Sequence, residues 1–118
     1  MANPALAPYG AAAREVLQGF GLYATLRDRI VTAENIGQTY AMVATGNAEI
    51  GFVAASGIRE SDEGSRWDVP PDLHAPIRQD AVLLAHGADN PAARQFLEFL
   101  HGERARAIIS DFGYGVDP

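Results

Sequence analysis

The chain has 118 residues, 47% of them hydrophobic, with 15 acidic and 9 basic side chains and a net charge of −6. This length suits one small domain with a buried core, and the negative charge argues against a nucleic acid or an anionic membrane as partner. The chain lacks cysteine, which excludes a disulfide and a thiolate metal site. The first residues show no basic stretch followed by an apolar run, so we expect no signal peptide in this chain. No apolar run in the sequence is long enough to span a bilayer.

The first predicted elements are a helix and a short strand. A helix is predicted over residues 10–20, where Gly19 and Gly21 can end it. Its apolar face is formed by Ala13, Val16, Leu17 and Phe20. The β-branched run Arg29–Thr32 favours a strand.

A second helix and a second strand follow. Asn35 is a good N-cap, and Gln38 three residues later completes a capping-box pattern, which predicts a helix that ends at Gly46. The apolar run Glu49–Ala54 is typical of a buried strand, and Gly51 within it indicates the close approach of another backbone.

The middle of the chain predicts a loop and then a third strand. Residues 57–76 contain three prolines, two glycines and a cluster of charges, which is typical of a loop. Within that loop, Arg66–Val69 has the pattern of an edge strand. The run Ile77–Ala85 predicts a buried strand.

Two helices complete the pattern. Asn90 as N-cap and Pro91 at the first helical position predict a helix that ends at Gly102. Gly113 closes a last helix. The apolar stripes of these two helices are Ala93, Phe96, Leu97 and Leu100, and Ala105, Ile108, Ile109 and Phe112. Alternation of helix and strand in the first half predicts an α/β fold with a parallel sheet.

Two of the helix starts are candidates for anion binding. The segments Ala7–Ala13 and Glu34–Gln38 contain no Lys or Arg. The first N–H groups of a helix lack partners within the helix, and the helix dipole places partial positive charge there. The sequence therefore suggests an anion site built from neutral dipoles.

Other chemistry-bearing residues favour structural roles. They are His74, His86, His101, Glu60, Asp62, Glu63, Ser56 and Ser110. The histidines lack a metal-ligand spacing, and the acidic residues lack the spacing of a calcium loop. The serines have no paired His and Asp in a recognisable order. We therefore expect neither an enzyme nor a metal site beyond contacts to an oxyanion, and no cofactor.

Several segments, in their order and spacing, resemble the periplasmic molybdate-binding proteins of ABC transporters. These segments are Asn3–Ala12, Glu34–Ile36, Ala44–Val53, Pro76–Leu84, Asn90–Arg94, Ala107–Ile109 and Phe112–Gly115. The resemblance implies the fold of a type II periplasmic binding protein, with two α/β lobes joined by a hinge. It covers only about the C-terminal half of such a protein, with residues 1–76 as the lobe-two α/β unit. Residues 77–118 resemble the strand and two helices that return to lobe one.

The resemblance also implies a ligand and the residues that hold it. Matched position by position, the lobe-two contacts are the backbone N–H groups of Tyr9 and Ile36, together with Ala54. Relatives often carry a Tyr at the position of Ala54, so its donor is absent here, and Ser56 is a speculative replacement. The implied ligand is molybdate or tungstate. The implied partners are the membrane component of an ABC transporter and a missing N-terminal lobe, and the implied location is the periplasm.

A hypothesis of a different class is that the chain is an interaction module that self-associates. Without a first lobe, strand edges and apolar helix faces are left uncovered, and such surfaces favour strand exchange or dimerisation. A second copy of the chain is then the partner.

Overall fold

The computed structural model describes residues 1–116, and its regular structure is helical. The helices are α1 (Pro8–Gly19), α2 (Tyr23–Leu26), α3 (Ile36–Ala44), α4 (Ala55–Ile58), α5 (Pro91–His101) and α6 (Glu103–Asp111). Short 3-10 turns occupy Arg27–Arg29, Pro71–Leu73 and Ala85–Gly87. None of the helices in this part of the chain combines the length and apolar character needed to cross a membrane.

The chain divides into two compact units, Met1–Ile77 and the segment from Arg78 onward. The boundary lies one residue from the division predicted after residue 76. Residues 117 and 118 of the predicted second segment lie outside the described residues. The assignment of the units to the lobes of a binding protein stays a prediction.

The four long helices form where the sequence predicts them, because their end signals are strong. The side chains of Asn35 and Asn90 cap α3 and α5 by accepting hydrogen bonds from backbone N–H groups. Pro91 occupies the first turn of α5. Helix α1 is followed by Gly21 and α6 by Gly113, both with positive φ, which a glycine adopts without the strain of a side chain.

The predicted strands Arg29–Thr32, Glu49–Ala54, Arg66–Val69 and Ile77–Ala85 do not form among residues 1–116. The run from Arg29 begins in a 3-10 turn, and the other segments carry no ladder hydrogen bonds. A strand forms only when its backbone groups pair with those of a neighbouring strand. An apolar run in the sequence indicates that a segment is buried, but it does not identify the strand with which the segment would pair. The prediction of these strands was therefore wrong for this chain.

One short parallel pairing takes the place of a sheet in the first unit. Ala2 and Ala33 form an isolated parallel bridge. Asn3 N–H donates to Ala33 O at 2.8 Å, and Ala33 N–H donates to Met1 O at 2.9 Å. The Met1 ammonium group donates to Val31 O at 2.8 Å, and burial lowers its pKa. This pairing holds residues 31–33, which precede α3, against residues 1–3.

The core of the first unit lies around this pairing. Its buried residues are small: Ala2, Gly10, Ala12, Ala13, Val16, Ala33 and Thr39. Ala13 and Val16 confirm the predicted inner face of α1, whereas Phe20 is exposed and contacts Trp67 at a ring distance of 6.2 Å. The hydroxyl of Thr39 donates to Asn35 O, so this buried polar group is satisfied.

The second unit buries much less. Helices α5 and α6 contact each other, and Ala105 is its buried residue within the described part of the chain. The predicted buried stripes are only partly correct, because Phe96 and Ile108 are exposed. The unit thus presents apolar side chains to its surroundings.

Candidate functional site

The start of α1 lies directly on the backbone of the chain's first residues. Ala7 is the N-cap in extended conformation and contributes no side-chain cap, and Pro8 occupies the first turn. A Cβ on Gly10 would lie 2.7 Å from Asn3 O and closer still to Ala2 O. Only glycine permits this approach, so Gly10 holds the α1 start, including Tyr9, against residues 2–3.

The start of α3 is closed by a reciprocal capping box. Gln38 N–H donates to Asn35 Oδ1 at 2.9 Å, and Glu34 N–H donates to Gln38 Oε1 at 2.8 Å. Within residues 1–116, the N–H groups of Ile36 and Gly37 donate no hydrogen bond. The cap therefore orders the first turn while leaving two neighbouring amides for a ligand.

A chain of short contacts connects the two helix starts. Gly10 of α1 touches Asn3, and Asn3 N–H is bonded to Ala33 O, three residues before Ile36. Both starts thus attach to the same short backbone pairing. That Tyr9 and Ile36 serve one site stays a prediction.

The segment before Ala54 packs against α3. Gly51, three residues earlier, lies so close to α3 that a Cβ there would meet Val43 Cγ2 at 2.7 Å. The prediction at Gly51 was wrong about the neighbour, because a side-chain methyl group of α3, and not another backbone, lies closest. Ala54 itself is the N-cap of the four-residue helix α4 and, being an alanine, has no side-chain donor.

The suggestion that Ser56 replaces the missing donor of Ala54 rested on a strand, and that basis is wrong. Ser56 lies in α4. Side chains two residues apart share a face in a strand, but they are about 200° apart around a helix. The strand alternation that would place Ser56 on the face of Ala54 therefore does not apply.

The charges around the α1 and α3 starts are few. Neither first turn contains an acidic residue, and the segments 7–13 and 34–38 contain no Arg. An anion there would be held by backbone dipoles without a counter-charge. Among residues 1–116, no three His, Asp or Glu side chains come together as a metal site would require.

Sequence reasoning did not single out Gly37. The signal was present, because Asn35 as N-cap makes Ile36 and Gly37 the first two helical residues. Those two positions keep unpaired N–H groups when the N–H group of the third helical residue donates to the N-cap side chain in a capping box. The candidate site therefore consists of Tyr9, Ile36 and Ala54, with Gly37 added.

Comparison with known proteins defines the class to which this arrangement belongs. The family model for bacterial extracellular solute-binding proteins matches residues 1–115. The chain belongs to that family.

More particular similarities point to one group within this family. The chain is 51% identical over 114 residues to the molybdate-binding protein ModA of Rhodobacter capsulatus, covering 97% of this chain and 45% of that protein. It is 48% identical to the molybdate-binding protein ModA of Azotobacter vinelandii, covering 98% of this chain and 47% of that protein. The chain therefore spans about half the length of these relatives.

A solved structure shows the same fold. The periplasmic molybdate-binding protein of Azotobacter vinelandii matches with a TM-score of 0.92 and 37% identity. The match covers all of this chain and 53% of that one. The fold is thus that of a periplasmic molybdate-binding protein over about half of its length, as the resemblance implied.

Proposed function

We propose that the chain supplies one lobe's share of a binding site for a tetrahedral metal oxyanion. The proposed ligand is molybdate, with tungstate as the second candidate. The proposed role is that of a periplasmic protein that delivers this ligand to an ABC transporter for import. The proposal is supported by the names of the relatives and by the unpaired amides of Ile36 and Gly37 behind an ordered cap.

The chemistry of these donors suits an oxyanion. An N–H group that donates to a charged acceptor contributes more than one that donates to a neutral acceptor. The capping box already orders the turn that carries these donors, so little reorganisation is needed on binding. The membrane component of the transporter is the proposed protein partner.

The proposed contacts come from one lobe, so we expect the chain alone to bind weakly. The remaining donors belong, in this proposal, to the other lobe, and binding shared by two lobes couples ligand capture to hinge closure. The relatives' names give no indication of catalysis, and we propose no enzymatic role.

Isothermal calorimetry with molybdate, tungstate and sulfate tests the proposal. We expect molybdate and tungstate to bind more tightly than sulfate. Ile36→Pro removes one proposed donor at the first helical position, where proline is tolerated after an extended residue such as Asn35. Losing a hydrogen bond to a charged group costs about 1.5–3 kcal/mol, so affinity should fall at least tenfold.

A matched control is available in α6. Glu103 occupies the same helical position and also follows an extended residue, Gly102. Glu103→Pro should therefore leave the affinity unchanged. An equal response to all three anions, or an Ile36→Pro variant that binds like the original chain, would count against the proposed function.

A further inference from the structure

The last residues of the first unit are bonded to α1 across a long stretch of sequence. Glu15, in the middle of α1, accepts a hydrogen bond from the backbone N–H of Ala75 through Oε2 at 2.6 Å. The two residues are 60 positions apart in the chain. Hydrogen bonds to a carboxylate are shorter and stronger than those between neutral groups. We call this bond the Glu15 anchor.

The other polar group of the Ala75 backbone is engaged as well. Nδ1 of His74 lies 2.8 Å from Ala75 O, and since a carbonyl oxygen only accepts, the ring nitrogen donates. The next residue, Pro76, has a fixed φ angle and restricts Ala75 to extended backbone. The N–H group, the carbonyl group and the conformation of Ala75 are therefore all constrained.

The segment that leads to Ala75 also contacts α1. The 3-10 turn Pro71–Leu73 touches this helix, and Leu73 N–H closes the turn by donating to Pro70 O at 3.1 Å. Leu73 and His74 are half-buried. The Glu15 anchor thus comes at the end of a segment that already packs on α1.

The anchor lies just before the boundary between the two units. The first unit ends at Ile77 and the second begins at Arg78, so a single segment of this chain connects them. Compact units change their relative orientation by backbone rotation at a few residues of the connecting segment. When Ala75 is held on α1, such rotation is limited to the residues that follow it.

We infer that Glu15 holds the end of the first unit on α1, so that the joint between the units begins only after Ala75. Without the Glu15 anchor, the contact of the turn Pro71–Leu73 is the remaining attachment of this segment to α1, and the joint extends back toward Leu73. The inference uses contacts within the first unit and does not rest on the proposed oxyanion site.

Amide hydrogen exchange, measured by NMR on the full chain, tests the inference. In Glu15→Ala the Ala75 N–H should exchange about tenfold faster or more, because it loses a hydrogen bond to a charged group. Alanine favours helix, so the amides of α1 should keep their exchange rates. Glu15→Gln keeps an oxygen acceptor without the charge and should give an intermediate rate. As a control, Glu98→Ala removes an exposed carboxylate from α5 and should leave Ala75 unchanged.

Two results of the exchange experiment overturn the inference. One is an unchanged exchange rate of Ala75 in Glu15→Ala. The other is an equal acceleration of Ala75 and of the α1 amides, which would show that Glu15 stabilises its own helix and does not anchor the segment after it.

Backbone amide relaxation provides a second measurement, which begins with the unmodified chain. Residues 72–75 should have order parameters like those of α1, about 0.85. In Glu15→Ala the values at residues 74 and 75 should fall toward about 0.6. Values below about 0.6 at residues 72–75 of the unmodified chain would overturn the inference without any variant.

Discussion

At Gly10, the absence of a side chain allows α1 to begin against the backbone of residues 2–3. An alanine Cβ there would meet backbone atoms of Ala2 and Asn3, which cannot move aside as a flexible side chain can. Gly19, at the other end of the same helix, has open space where a methyl group would lie, with no atom within 4 Å. Close packing therefore requires glycine at position 10, whereas packing does not require glycine at position 19.

Gly10→Ala should destabilise the chain by about 2 kcal/mol or more, in the range of overpacked sites. Gly19→Ala should be neutral or stabilise by up to about 1 kcal/mol through helix propensity. Urea unfolding followed by circular dichroism measures both changes. Equal stability of the two variants would contradict the contact described between α1 and residues 2–3.

Ala54 offers a gain-of-function test of the proposed site. Ala54→Tyr adds a phenolic O–H at the proposed donor position, while Ala54→Phe adds the same ring without a donor. A hydrogen bond to a charged acceptor contributes about 1.5–3 kcal/mol. Calorimetry should therefore show molybdate bound about tenfold or more tightly by the Tyr variant than by the Phe variant. Equal affinities would remove Ala54 from the site.

At the scale of elements, the cap of α3 links stability to binding. Asn35→Ala removes the acceptor for Gln38 N–H and should cost about 1 kcal/mol, measured by thermal or urea unfolding. Asn35→Asp keeps an acceptor, and its negative charge is favourable near a helix N-terminus. The Asp variant should therefore be at least as stable as the original chain.

The same Asp substitution separates stability from anion binding. A carboxylate adjacent to the Ile36 and Gly37 amides repels an oxyanion and competes for their partial positive charge. We expect Asn35→Asp to weaken molybdate binding in calorimetry while unfolding at the same or higher urea concentration. Unchanged molybdate affinity in this variant would argue against a site at the start of α3.

Helices could be predicted from this sequence because their signals are local. Asn35 with Gln38, Asn90 with Pro91, and the glycines after α1 and α6 each specify an end within a few residues. The strand predictions failed because pairing depends on distant partners. The run Ile77–Ala85 has the apolar character of a strand, but backbone pairing is not encoded in that run alone.

At the scale of the whole molecule, the two units differ in how much they can bury. The first unit contains nearly all the buried residues, whereas the second buries Ala105 among its described residues. A segment of 41 residues with so small a core is below the size at which domains usually fold alone. Its stability must therefore depend on contacts outside the helix pair.

A peptide of residues 78–118 tests this dependence. Helices α5 and α6 contain 11 and 9 residues, lengths that are marginal for isolated helices in water. Circular dichroism should show little helix in the isolated peptide at low concentration. Full helix content at the lowest concentration would contradict this account of the second unit.

The candidate site was predictable in part. Tyr9 and Ile36 follow from helix starts and from family resemblance, because local sequence signals locate a helix start, and their role in binding stays a prediction. Ser56 was misplaced because the geometry after Ala54 depends on whether the chain continues as a strand or enters α4. The closeness of Gly10 to Asn3 could not be predicted, since it depends on how the first residues pair with residues 31–33.

The most direct test of the central claim is an NMR titration of the chain with molybdate, observed at the backbone amides. Weak binding is sufficient for this measurement. The account predicts that the largest shifts occur at Ile36 and Gly37, with Tyr9 also affected, and that sulfate produces smaller shifts at equal concentration. Shifts that are confined to residues 78–116, or that are absent at all three amides, would contradict it.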